Sequence, residues 1–226
     1  SQRTIFNVGQ TAKPATLSFL APSYNVEEDV NEVRKKTMGI IQAMNTELQK
    51  IIPGQVGRYT SEFYPMSTGD NFTKMGYPCV LFEAGHFPDD YQRNETRKYN
   101  ALAIIAGLNA LLAKENLPFD SYTNIPQNGQ KYLDIILRQV QIKNEEKSSI
   151  VDLGIYFEDY YNVEKNSVEQ HAKITEIGDL RKFIGHLEID AENQVYQGEF
   201  KNYPSLDQIA TFMVGTIKLE NGQLIN

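Results

Sequence analysis

The stretch YPCVLFEAGHFPDDYQRNETR, residues 77–97, holds the change of pattern on which the fold turns. Its residues 80–82 (VLF) form a short apolar run led in by Gly76, Tyr77 and Pro78, the signature of a buried strand. Glu83 ends that run, and Ala84 and Gly85 break it, so the chain is expected to leave a sheet here. Asp89 and Asp90 then open a predicted helix whose apolar face is Leu102, Ile105, Leu108, Leu111 and Leu112. Acidic residues in a first turn complement the helix dipole.

The same alternation runs upstream. Residues 15–21 (ATLSFLA) lie between Pro14 and Pro22 and predict a second buried strand. Asn25 with Glu28 makes an N-x-x-E helix start, and apolar residues recur at Val30, Val33, Ile40, Ile41, Met44, Leu48 and Ile51 until Pro53 and Gly54 stop the pattern. Strand, helix, strand, helix with short connections predicts an α/β layer architecture for residues 1–118.

Downstream the pattern changes. Pro118, Pro126 and the Asn128-Gly129 pair are breaker and turn signals, and the domain boundary is expected between residues 118 and 119. A short helix is predicted at 131–139, followed by β-type runs at 150–156, 171–177, 183–189 and 212–219. The last meets Asn221-Gly222, a two-residue hairpin signal. Residues 119–226 therefore read as a small, mainly β domain.

Composition bounds the function. With 41% hydrophobic and 23% charged residues in 226, the chain is globular in character and not disordered. No apolar run approaches the roughly 20 residues of a membrane-spanning helix. Cys79 is the single cysteine, so no internal disulfide forms. Residues 1–118 hold 12 basic and 12 acidic side chains, whereas 119–226 hold 10 and 17, which accounts for the whole net charge of -7. An acidic second half without a basic stripe argues against nucleic acid or an anionic membrane as the main partner. The sequence opens at Ser1 without a secretory signal or an initiator Met, which leaves localisation open with the cytoplasm slightly favoured.

Residues able to carry chemistry are few. His86, His171 and His186 are the only histidines and none sits in an H-x-x-E, H-E-x-x-H or H-x-H pair, so the chain offers no complete metal site of its own. His171 and His186 read as structural or exposed. Glu83, at the end of an apolar strand, has two readings. As a desolvated carboxylate beyond a strand end it would have a raised pKa and serve as a general base; as a clamp it would pair with Arg93 or Arg97.

Five segments together resemble the zinc metallocarboxypeptidase (carboxypeptidase A-like) family, its bacterial branch most closely. They are SQRTIF (1–6), PATLSFLAP (14–22), IPGQVGRY (52–59), TGD (68–70) and FEAGHFPDDYQRNETR (82–97). The resemblance covers about residues 1–116 and implies the C-terminal part of that family's catalytic domain, a partial mixed sheet flanked by helices, with the β domain added. It implies a hydrolase that cleaves C-terminal peptide or related amide bonds, with Glu83 as general base beside zinc-activated water. The three zinc ligands it implies would all fall upstream of Ser1, the last immediately before it. Ser1, Gln2 and Arg3 would then line the cleft.

The resemblance also puts Asp70 near the side-chain specificity pocket, the alternative being an N-cap for a helix at 71–75. Tyr59 and Tyr64 are the nearest candidates for the family's mobile tyrosine. His86 would stand behind the metal ligands or be a hydrogen-bonded surface histidine. A sheet cut before Ser1 would need a missing N-terminal segment, or another chain, to cover it. Two other readings are a non-catalytic binding module on the same scaffold and a related zinc hydrolase acting on N-acylated amino acids.

Overall fold

The structure, a computed structural model, describes residues 4–90, 92–113, 116–144 and 146–225. It is a mixed α/β fold with four sheets and three α-helices among the described residues. The chain divides into two compact units, one to Gln130 and one from Lys131.

In the first unit, β1 (Phe6–Val8) is followed by β2 (Leu17–Leu20), α1 (Glu32–Leu48), β3 (Val56–Arg58), α2 (Thr68–Lys74), β4 (Leu81–Ala84), α3 (Asn94–Ala113) and β5 (Asn128–Gln130). The sheet order is β3-β2-β4, with β3 parallel and β4 antiparallel to β2; β1 and β5 form a separate antiparallel pair. Alternation along β2 turns Leu17 and Phe19, both fully buried, toward Met38, Ile41, Met44 and Leu48 of α1 and toward Tyr99 and Ala103 of α3. Phe82 of β4 closes on Phe19 edge to face at 5.1 Å.

The helix starts differ from the expected ones. Asn31, not Asn25, caps α1: its side-chain oxygen accepts the Arg34 N–H at 2.9 Å, while Asn25 accepts from Asp29 in the turn before. The second helix runs from Thr68 with Ser67 at its N-cap position, so Asp70 lies inside the first turn and caps nothing at 71–75. Before α3, Asp90 accepts the N–H of Asn94 at 2.7 Å and of Thr96 at 3.0 Å, which caps the helix from four residues ahead.

Of the expected apolar face of α3, Leu102 alone packs against the core. Thr96, Tyr99, Ala103 and Gly107 face the core, and Ile105, Leu108, Leu111 and Leu112 are exposed. Small residues decide this orientation: a Cβ on Gly107 would stand 2.4 Å from Met44 Cε, so the two helices meet where α3 has least bulk.

The boundary between units falls at 130/131 and not at 118/119. The intervening residues pack into the first core, where Tyr122 and Ile125 are buried and the Ala21 N–H donates to the Tyr122 hydroxyl at 3.0 Å. Arg58 adds its Nε–H to the Ile125 carbonyl at 2.7 Å.

The second unit is built of β6 (Tyr132–Asn144), β7 (Lys147–Asn162), β8 (Ser167–Gly178), β9 (Ile184–Asp190), β10 (Tyr196–Gly198), β11 (Phe212–Val214), β12 (Ile217–Glu220) and β13 (Gln223–Ile225). They form two four-stranded sheets, β8-β7-β6-β9 and β10-β11-β12-β13, which share a core of Ile135, Leu137, Leu153, Ile155, Tyr196 and Phe212. The helix expected at 131–139 is part of β6. Both faces of that strand are covered, with Ile135 and Leu137 in one cluster and Leu133 and Ile136 in another, so Ile135, Ile136 and Leu137 follow one another where a half-buried strand would alternate. Asn221 and Gly222, both at positive φ, make the two-residue turn between β12 and β13. No described helix is long and apolar enough to cross a membrane.

Candidate functional site

The polar face of the first sheet gathers the residues with chemical potential. Thr16, just before β2, and Ser18 within it are fully buried although polar, because they alternate with Leu17 and Phe19 and point away from the helices. Each has a partner: Thr16 Oγ1 donates to Gln55 Oε1 at 2.8 Å, and the Asn128 amide nitrogen donates to Ser18 Oγ at 3.0 Å. Ser18 stands in register with Gly57 on one side and Glu83 on the other. Side chains directly opposite in an antiparallel pair lie about 5 Å apart at Cβ, so the Glu83 carboxylate rises beside the Ser18 hydroxyl. Gly57 leaves room for Asn128, whose Oδ1 would be 2.0 Å from a Cβ at that position.

Tyr59 follows β3, donates its N–H to the Phe19 carbonyl at 3.0 Å and packs its ring edge to face on Phe6 at 5.6 Å. Burial, and secondarily the negative charge of Glu83, raise the Tyr59 phenol well above its ordinary pKa. Tyr59 and Glu83 therefore share one electrostatic environment. Farther along the chain His86 is buried two residues after β4, and the intervening Gly85 donates its N–H to the Thr16 carbonyl at 2.9 Å.

Glu83 is placed differently from the expectation in one respect. It is the third of the four residues of β4, close to the strand end, but β4 runs antiparallel to β2 and β3. The rule that ligands bind beyond the carboxyl ends of parallel strands consequently does not apply to it; its setting is the polar face of the sheet itself. Arg93 donates to the Ala84 carbonyl at 3.2 Å, and Arg97 hydrogen-bonds Asn94.

The remaining candidates lie apart from this group. Asp70 is 4% exposed, and its Oδ1 is buried with no hydrogen-bond partner. It sits toward Cys79, whose thiol pKa is raised by burial and by the Asp70 charge, beyond the Leu20 end of β2. Tyr64 is exposed and donates its hydroxyl to Glu62 at 3.1 Å. Ser1, Gln2 and Arg3 lie outside the described residues. In the second unit, His171 stacks on Tyr160 and His186 on Tyr132.

Ser18, Gly57 and Asn128 went unread in the sequence. Two hydroxyl residues spaced i, i+2 inside the apolar run at 15–21 were the available signal for a polar sheet face. Asn128 reads locally as a turn residue with Gly129, whereas it lies in β5 and reaches Ser18 across 110 residues.

Among the described residues no group of three or more His, Cys, Asp and Glu could hold a metal ion, so these residues do not by themselves fit a zinc site. No family model matches the chain, and neither a curated protein nor a solved structure matches it. What this sheet face can do unaided is hold a carboxylate beside buried hydroxyl, amide and phenol groups, an arrangement suited to binding a polar ligand and exchanging a proton with it.

Proposed function

We propose that this chain is the C-terminal portion of a carboxypeptidase-like zinc hydrolase, cleaving C-terminal peptide or related amide bonds, with Glu83 as its proton-transferring group. The observation that carries the reading is Glu83 itself, set on a polar sheet face with Ser18 opposite it and its charge felt by Tyr59. In this role Glu83 takes a proton from the attacking water and returns it to the leaving amine. Tyr59, its phenol kept neutral, donates a hydrogen bond to the bound substrate, and His86 supports the loop that leaves β4.

The zinc ligands on this reading belong to polypeptide outside these 226 residues, and no step is assigned to the metal here. On this reading that polypeptide would pair with the outer edge of β4, since the other edge strand, β3, already meets Gln127 through a bridge at Arg58. An edge strand of this kind accepts one more strand by backbone pairing. The chain alone is accordingly inactive. Asp70, buried and with an oxygen left over, would contribute to side-chain selectivity.

The test is to express the longer reading frame, measure bound zinc, and assay hydrolysis of C-terminal residues from peptides and from N-acylated amino acids. Glu83→Gln should retain zinc and lose about 10²- to 10⁴-fold in rate. Zinc retained together with undiminished activity in that variant would remove Glu83 from the mechanism. A longer frame that binds no zinc would favour a binding module.

A further inference from the structure

Glu83 is the last residue but one of a four-residue strand at the edge of its sheet, and the end of that strand is held from outside it. In an antiparallel pair, residues whose backbone groups face the partner strand alternate with residues whose groups face away. Gly85 donates its N–H to the Thr16 carbonyl at 2.9 Å, and Glu83 stands in register with Ser18, so these two residues turn their backbone toward β2. The intervening Ala84 therefore turns its carbonyl to the open edge. Arg93 meets it there, its Nη1 donating to the Ala84 carbonyl at 3.2 Å. Phe82 faces the same way, so a strand added at this edge is stopped short of Ala84.

Arg93 holds this place against its backbone preference. Its φ of 55° lies in the left-handed region, which a residue carrying a Cβ adopts only at an energetic cost. The conformation is fixed on both sides: the Arg93 N–H donates to the Asp90 carbonyl, and its own carbonyl accepts the Arg97 N–H, each at 2.9 Å. Strain that a glycine would avoid is kept here with a side chain long enough to reach β4. We infer that Arg93 is a positioning residue for Glu83: by closing the outward carbonyl of Ala84 it keeps the end of β4 from fraying and so holds Glu83 in register with Ser18. A four-residue edge strand without that bond would open first at this end. The inference deepens the proposed role of Glu83 and rests on that reading for its place in hydrolysis.

Tyr59 supplies a readout that needs no hydrolysis, because the Glu83 charge acts on its phenol and Arg93 is not among the causes. Arg93→Gly removes the bond and relieves the backbone, so far-UV circular dichroism and thermal melting of the 226-residue chain should stay close to those of the wild type. Ultraviolet titration, referenced to Tyr59→Phe, should show the Tyr59 pKa falling by at least half of the fall seen in Glu83→Gln. Combined with Glu83→Gln, Arg93→Gly should add nothing. Arg93→Met keeps the aliphatic stem and the strained backbone but has no donor, and it should give the same fall. Amide exchange should quicken about tenfold at Gly85 and not at Tyr59, whose N–H bonds on the other side of β2. In the longer polypeptide both variants should lose roughly 10- to 10²-fold in kcat with KM little changed. A Tyr59 titration unchanged in both variants overturns the inference, as does an unchanged kcat in an active longer polypeptide. A fall that persists when residue 83 is already glutamine overturns it too, by showing that Arg93 acts on Tyr59 directly. A longer polypeptide without hydrolytic activity removes the hydrolase reading alone, since the coupling of Arg93 to Glu83 is read in the 226-residue chain.

Discussion

Tyr59 and Glu83, set on either side of β2 in one sheet, are electrostatically coupled: the Tyr59 phenol is held neutral first by burial and then by the carboxylate charge. Glu83→Gln removes the second cause and leaves the first. The Tyr59 pKa should therefore fall in that variant yet stay above the ordinary value of about 10. Ultraviolet titration of Glu83→Gln against wild type, each referenced to its Tyr59→Phe partner, isolates this one tyrosine. An unchanged Tyr59 titration would separate the two groups and weaken any joint role.

Gly57 and Asn128 make a steric prediction for the same face. A methyl at Gly57 collides with Asn128 Oδ1 at 2.0 Å, and Asn128 is tied to Ser18. Gly57→Ala should lower unfolding stability by about 1–3 kcal/mol, the usual cost of overpacking. Asn128→Ala should cost about 1 kcal/mol through the lost hydrogen bond. Because the second change removes the obstacle met by the first, the double variant should be more stable than the sum of the two single losses. Urea denaturation of the four proteins gives the coupling, and strict additivity would contradict the packing described.

How far the sequence foretold this arrangement depended on which faces the elements bury. Residues 15–21 and 80–82 pointed to β2 and β4 because proline and glycine bracket short apolar runs there. The turn at Asn221-Gly222 was equally legible, since its chemistry is local. The strand at 132–144 was not. Burial on both sides erases the period-two signal, and a bulge at Gln139 with φ 56° interrupts what remains. For α3 the apolar stripe was visible but its direction was not, because sequence cannot say that Ala103 and Gly107 meet α1. The Ser18–Asn128 contact is long-range and leaves no local mark.

Asp90 makes a pH prediction. Desolvation works to raise its pKa, but the N–H groups of Thr96, Asn94 and Glu95 together hold it below the usual carboxylate range. A carboxylate depressed in the folded state stabilises at pH values above its unfolded pKa, about 3.9, and that stabilisation is lost as pH falls through the lower folded value. Asp90→Ala should melt at lower temperature than wild type near neutrality, and the gap should narrow below about pH 4. Thermal melts followed by circular dichroism at pH 7 and pH 3 check this. A gap equally wide at both would show that the charge of Asp90 is not what caps α3.

Arg138 is the corresponding keystone of the second unit. Its Nε and Nη2 grip both oxygens of Glu188 at 3.0 Å each, and its Nη1 reaches Asp152 at 3.1 Å. The same guanidinium donates to the carbonyls of Leu180 at 2.8 Å and Phe183 at 3.0 Å, so it ties β6, β7, β9 and the connection between β8 and β9 together. The side chains of Arg138 and Asp152 are only 20% and 15% exposed, so solvent replaces these bonds poorly. Arg138→Ala should cost about 2–4 kcal/mol of unfolding stability. Arg138→Lys should recover little, because an ammonium cannot reproduce the planar fork on Glu188 while reaching Asp152 and two carbonyls. Glu188 adds a pH signature. Burial pushes its pKa up, but Arg138 and the Gly185 N–H bring it below the ordinary value, so its contribution is present above about pH 4.3 and is lost as pH falls through its lower folded pKa. In Arg138→Ala that acid-side loss should shrink. Guanidinium unfolding of the three proteins at pH 7 and pH 3 measures both effects, and a lysine variant as stable as wild type would reduce this network to simple charge balance.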